Sequence, residues 1–471
     1  MLRWPLVGPF LRWRHARLSL QLALLCLAVV VILDGLFGRQ VGPANLATVL
    51  TWVHYRGLLV VGLLAAGNFF CTGCPFVLVR DAARRLHAPP VRWPLRFRRK
   101  WIGIALFIGV LFAYELFDLW ALPRATAWLV LGYFLSALAI DLVFTGASFC
   151  KYVCPIGQFN FVASTMSPLE VRVRQPETCR SCRTADCIKG RRAPDAPAVV
   201  VRRGCELGLF LPAKVGNLDC TFCLDCVQAC PHDNIALATR LPGLELVDAS
   251  RRSGVGRLVR RWDIAALAVV FTFGAFLNAF GMVSPVYAVL GRLSAVLGTE
   301  SEWPALAALF VLALAVVPAA AVGLPAAATA WLSGGRASLG TTLTTYAPAL
   351  LPLGFGVWLA HYGFHLLTGA LTVVPVAQGA VLDAFGFAVL GEPRWSWLGL
   401  RSGLVFPLQL GFVALGAMGS VGVAYLLSER DHPDRAGAAV TPWVLAVAAL
   451  AIAAVWVFSQ PMEMRGVGFP G

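Results

Sequence analysis

The sequence predicts a polytopic α-helical membrane protein of about nine spans, interrupted near its middle by one polar α+β insert. Three observations carry that prediction. Of 471 residues, 58% are hydrophobic and only 13% charged, the balance expected when apolar segments of about 20 residues dominate a chain. Apolar runs recur near residues 18–37, 47–70, 101–121, 125–147, 263–286, 303–325, 342–369, 402–427 and 439–459. Between the fourth and fifth runs, residues 156–262 are polar by the standard of this chain and hold eight of its 13 cysteines. The expected regions are therefore 1–155 with four spans, 156–262 as the insert, and 263–471 with about five spans.

Charge sets the orientation. The net charge of +15, from 39 basic and 24 acidic residues, invites a nucleic-acid reading, but the basic residues cluster beside apolar runs, as the positive-inside rule demands. No nucleic-acid partner is expected; the surrounding partner is membrane lipid. Arg3, Arg12, Arg14 and Arg17 place the N-terminus in the cytoplasm. The first apolar run is long enough to span and shows no small-residue cleavage site, so it reads as a span, not a signal peptide. The second run returns to a basic loop with Arg80, Arg84, Arg85, Arg92, Arg96, Arg98, Arg99 and Lys100. The third goes out and the fourth comes back, which leaves the insert cytoplasmic. The expected location is a bacterial cell inner membrane, multi-pass. Segments 286–303 and 370–400 leave room for re-entrant or surface helices.

Within the insert, Cys220-Thr-Phe-Cys223-Leu-Asp-Cys226-Val-Gln-Ala-Cys230-Pro231 is the C-x2-C-x2-C-x3-C-P run of [4Fe–4S] ferredoxins. Two-residue gaps bend three thiolates around one cubane, and the fourth Cys is carried to the other cluster. Upstream lie Cys179, Cys182, Cys187 and, after an insertion, Cys205. The ferredoxin pairing assigns Cys179, Cys182, Cys187 and Cys230 to one cluster and Cys205, Cys220, Cys223 and Cys226 to the other. Zinc fits less well, because two separated C-x2-C pairs would leave a third evenly spaced Cys and Cys-Pro without a use. Disulfides require an oxidising compartment. Residues 169–174 alternate like a short strand, and the segment after Pro231 fits a turn and a second strand.

Two spans end alike, in Gly67-Asn-Phe-Phe-Cys71-Thr-Gly-Cys74-Pro75 and Gly146-Ala-Ser-Phe-Cys150-Lys-Tyr-Val-Cys154-Pro155. This internal repeat delivers two Cys pairs to one membrane surface. Cys71, Cys74, Cys150 and Cys154 supply the ligand count of a third cluster or other metal site; redox-active thiols and a purely structural role for the helix ends are the alternatives. Cys26, alone in the first span, reads as a packed thiol.

Ionisable residues inside spans are costly to bury and therefore draw attention. His361 and His365, at i and i+4, share one helix face. With Asp141, His54 and Arg56 they form the candidate set for a quinone site or a proton path, against the alternative of histidines hydrogen-bonded between helices. Bis-histidine haem is disfavoured, since one helix cannot place ligands on both sides of an iron.

The paired Cys-Pro span ends and the double cysteine run resemble the membrane-bound polyferredoxin family, which includes the quinol dehydrogenase membrane subunit of periplasmic nitrate reduction and the nitrous oxide reductase regulatory protein. The resemblance covers roughly residues 45–235, without the flavin domain of the latter branch. The first pair, Cys71-x2-Cys74, has one residue fewer than the family spacing. The resemblance implies an inner-membrane electron carrier with two [4Fe–4S] clusters. The expected function is electron transfer between a quinone pool and an unidentified redox protein partner. The alternatives are an accessory factor reducing copper or iron for a respiratory enzyme, and a cluster-gated transport module.

Overall fold

A computed structural model of the chain describes all residues except 1–4, 6, 86, 88, 194, 196–199, 336, 397 and 463–471, so Arg3 lies outside the described residues. The described chain divides into two compact units. The first takes residues 1–27, 62–103 and 133–261; the second takes 28–61, 104–132 and 262–471.

Among the described residues eight helices are long and apolar enough to cross a membrane: Ala16–Phe37, Leu46–Ala66, Pro123–Val143, Trp262–Phe280, Glu302–Leu332, Leu339–Thr368, Ser402–Asp431 and Pro433–Ser459. Together they make a polytopic helical membrane protein. The remaining expected span is the 16-residue apolar helix Trp101–Leu116, roughly 24 Å long at 1.5 Å per residue, against a hydrocarbon core of about 30 Å. It stops short of the expected residue 121 because Asp118 adopts a left-handed φ of 43° and Pro123 opens the next helix. The two segments read as room for extra helices contain Pro285–Leu297 and Val373–Phe385.

In the second unit the Leu339–Thr368 helix is almost wholly buried. Small residues let its neighbours approach: a Cβ on Gly356 would stand 2.5 Å from the Phe412 carbonyl oxygen, and one on Gly416 2.7 Å from that of Pro352. Such contact replaces the hydrophobic drive that lipid cannot supply. Interhelical hydrogen bonds run from Trp358 Nε1 to the Phe271 carbonyl at 2.9 Å and from Gln409 Nε2 to the Ala360 carbonyl at 3.1 Å.

In the first unit, β1 (Leu169–Val173) pairs antiparallel with the last strand, β4 (Ile235–Thr239), Val171 opposite Leu237. Between them in sequence, β2 (Arg191–Arg192) pairs with β3 (Val200–Arg202). The alternation that predicts β1 is its burial pattern: Leu169 and Val171 face a core shared with Phe222, Leu224, Val227, Ile235 and Leu237. The strand pair thus spans the cysteine-bearing loops like a clamp, joining the residues just before the first run to those just after the last.

Candidate functional site

Two cysteine-lined cavities open among the described residues of this unit, each with about 320 Å³ of empty space. Cys205, Cys220, Cys223 and Cys226 line one, with Val171, Leu209, Phe222 and Lys214. Cys179, Cys182, Cys187 and Cys230 line the other, with Asp186, Pro231 and Asn234. The eight cysteines of the two runs thus separate into two sets of four. Among the described residues no three of His, Cys, Asp or Glu crowd together as ligands of one metal ion; a cubane's thiolates stand farther apart than the ligands of a single ion.

The backbone is bent to build these cavities. Among the described residues six non-glycine residues have positive φ, and five of them are Ala185, Asp219, Phe222, Leu224 and Asp233, within or beside the cysteine runs. Each costs about 1–2 kcal/mol relative to an ordinary conformation, and such strain collects where a site requires it. The αL turns aim peptide N–H groups inward, as in an anion-binding nest. Leu209 N donates to Cys205 Sγ at 3.3 Å, Asn234 N to Cys230 Sγ at 3.4 Å, and Asn234 Nδ2 to Cys179 Sγ at 3.3 Å. These donors, with four sulfurs around each enclosed space, fit an iron–sulfur cluster in both places.

The repeat of span ends is structural as well. Gly67 (φ 76°) and Gly146 (φ 74°) each stand four residues before a cysteine. Short helical turns, Phe69–Thr72 and Phe149–Val153, carry Cys71 and Cys150. Cys74 and Cys154 then sit at the N-caps of the helices Pro75–Ala83 and Pro155–Ala163, each with Pro in the first turn. Burial pushes the Cys74 thiol up to about 11 against the N–H groups of Phe76 and Val77. It pushes Cys154 up to about 12 against that of Gly157. Cys26 is exposed on the Ala16–Phe37 helix surface, not packed in a core.

An ion-pair network that sequence reading missed lies between these features. Arg17 bridges Glu206 at 2.6 Å and Asp225 at 2.7 Å, and Arg80 reaches Glu206 at 2.5 Å and Asp81 at 2.8 Å. Burial alone would raise the Glu206 carboxyl; Arg17 and Arg80 overcome it and hold it at about 2. Asp225 goes the other way, to about 6, because burial, together with the Glu206 charge, outweighs Arg17 and Arg203. The only available signals were that Glu206 follows Cys205 and Asp225 precedes Cys226.

The candidate intramembrane set is divided by the fold. Asp141 belongs to the first unit, where its Oδ1 accepts from Phe149 N at 2.9 Å and its Oδ2 lies 3.7 Å from Arg80; it anchors the second Cys-Pro turn. In the second unit, Arg56 is buried among the rings of Trp52, Tyr114 and Tyr362, 4.7–5.0 Å from their centroids, and donates to Tyr114 Oη at 2.9 Å. Tyr362 connects it in sequence to His361, whose ring meets that of His365 edge-on at 5.1 Å. His365 Nε2 lies 3.1 Å from Met282 Sδ. His54 stands apart, its ring nitrogens 3.1 and 3.2 Å from the carbonyl oxygens of Val49 and Ala370.

No family model matches the chain, and no solved structure matches it. Curated relatives do. The chain is 29% identical over 96 residues to the putative electron transport protein YccM of Escherichia coli, covering 20% of this chain and 23% of that one. It is 24% identical over 262 residues to the regulatory protein NosR of Pseudomonas aeruginosa, covering 47% and 34%. Against the ferredoxin-type protein NapH of Escherichia coli it is 26% identical over 196 residues, covering 39% and 66%. The chain thus spans between a quarter and two thirds of these relatives' lengths. Its homologues are membrane polyferredoxin-type electron-transport proteins, at low identity.

Proposed function

We propose that the chain is a membrane-bound iron–sulfur electron-transfer protein, passing electrons between a quinone pool and a redox protein partner through two [4Fe–4S] clusters on the cytoplasmic side. The observation that carries this reading is the division of eight cysteines into two four-cysteine cavities of equal volume. Cys179, Cys182, Cys187 and Cys230 hold one cluster; Cys205, Cys220, Cys223 and Cys226 hold the other. When bound, each supplies a reversible one-electron centre.

The chain's own residues set the terms. N–H groups of Leu209 and Asn234 point at thiolates and stabilise the more negative, reduced state. The Phe222 and Leu224 side chains pack in the core and keep water from the inner cavity. Arg56 with Tyr114 and Tyr362, beside His361 and His365, offers cationic and hydrogen-bonding groups of the kind a quinone headgroup or a proton path uses; this is the electron-entry candidate within the second unit.

The test is electron paramagnetic resonance of anaerobically purified protein, with iron counted per chain and quinol oxidation measured in membranes. About eight irons or more and signals of reduced cubanes are expected, both diminished by Cys226→Ala. Fewer than about four irons, with zinc in their place, refutes the reading.

A further inference from the structure

The two clusters of the insert leave the four cysteines of the span ends without a use, yet those cysteines are built into a site. All four are buried or half-buried. Asn160, on the helix after Cys154, reaches Cys71 Sγ of the first repeat, and Phe76, two residues after Cys74, packs in one cluster with Cys150 and Cys154, so the two repeats converge. Gly157 N donates to Cys154 Sγ at 3.2 Å. Asn160 Nδ2 donates to Cys71 Sγ at 3.5 Å, and Asn68 stands three residues before Cys71. Both asparagines are fully buried, and each leaves its amide oxygen without a hydrogen-bond partner. For Asn160 that placement is explained by donation to sulfur, not by its own satisfaction.

We propose that Cys71, Cys74, Cys150 and Cys154 together ligate a further iron–sulfur cluster. Donors aimed at sulfur favour thiolates, which cluster ligation requires and a disulfide does not. Helix N-termini behind Cys74 and Cys154 add partial positive charge where a four-thiolate centre brings negative charge.

The position gives this centre its purpose. The first Cys-Pro turn is docked directly on the loop of the inner cavity: Thr72 Oγ1 donates to the Phe222 carbonyl at 2.7 Å and Asn68 Nδ2 to the Cys220 carbonyl at 3.0 Å. The rings of Phe69 and Phe222 meet edge-on at 5.6 Å. A Cβ on Gly67 would stand 2.7 Å from the Phe222 ring, so only glycine permits this approach. A cluster here stands next to the Cys205–Cys226 site and extends the line of one-electron centres to the ends of the membrane helices. The inference deepens the electron-transfer reading and rests on it for the neighbouring centre.

The test counts iron and records electron paramagnetic resonance on the full chain, purified anaerobically in detergent. Each [4Fe–4S] cluster adds about four irons and a [2Fe–2S] cluster about two. Expected are about ten or about twelve irons per chain, falling to about eight in Cys74→Ala and in Cys154→Ala with the insert's signals retained. About eight irons in the wild type, unchanged in both variants, overturns the proposal, as does zinc at these cysteines. Should the alanine variants fail to assemble, Cys74→Ser and Cys154→Ser are read by spectrum: a changed signal supports the site, and spectra identical to wild type overturn it. Failure of the two-cluster reading is separately visible, as iron that Cys226→Ala does not reduce.

Discussion

The two cysteine-lined cavities share a volume and a ligand number, but their surroundings are opposite. Around the inner one, Thr221, Phe222, Cys223, Leu224, Cys226 and Val227 are all buried. Around the outer one, Arg180, Ser181, Arg183 and Thr184 are exposed. Burial pushes the Cys226 thiol well up, whereas the N–H of Ala185 and the hydroxyl of Thr184 draw the half-buried Cys182 thiol down. The same motif therefore makes two different environments. The inner one is lined by buried residues and docked against the Cys71 turn; the outer one is flanked by exposed residues. Low dielectric disfavours the extra negative charge of a reduced cluster, so the inner site should have the lower potential unless its cations compensate.

The charged neighbours give the sharpest contrast. Glu206→Ala leaves Arg17 and Arg80 without their shared buried partner and should destabilise the protein by about 3–5 kcal/mol, read by unfolding in mixed detergent micelles. A loss under about 1 kcal/mol would show the inner site to be better solvated than its burial indicates.

Next come the left-handed residues. Leu224→Gly relieves strain of about 1–2 kcal/mol but removes a packed side chain whose loss costs about 2–5 kcal/mol, so net destabilisation is expected. Ala185→Gly, at φ 53° in the outer loop, gives up only a methyl group and should stabilise by roughly 0.5–1 kcal/mol. Equal effects of the two changes in the same unfolding assay would erase the distinction between buried and exposed loops.

Asn234 acts on the outer site alone through its bonds to Cys179 and Cys230. Asn234→Ala should move one midpoint potential to more negative values, since it removes the side-chain donor to Cys179 that favours the reduced state while the backbone N–H to Cys230 stays, and leave the other in place. Redox titration followed by electron paramagnetic resonance would reveal a shift of both, which would contradict the assignment of Cys179 and Cys230 to one site. Smallest of all is Glu177→Ala, which breaks the exposed 3.4 Å pair with Arg180. Its effect on stability should stay below about 0.5 kcal/mol.

Much of this was legible in the chain. Hydropathy marks the spans because a bilayer demands long apolar helices with every peptide group bonded internally. Cysteine spacing is readable because a cubane imposes short, local gaps, and the alternation at Leu169–Val173 shows a strand because one face is buried. Helix ends were less so: Gly67, Gly146 and Asp118 stop or turn helices through left-handed φ where hydropathy alone runs on. The grouping of Asp141 with the intramembrane histidines was not legible at all, since depth along a span says nothing of which unit a side chain faces.

The sequence by itself determined the membrane class, the polar insert and the positions of every cysteine pair, because these depend on composition and on spacing over a few residues. Only the tertiary structure decided that Glu206 holds Arg17 and Arg80 together, that Arg56 is held by aromatic rings instead of carboxylates, and that the first Cys-Pro turn docks on the Phe222 loop. Those facts join residues far apart in the chain. Their energies come from burial and from partners that no local pattern names.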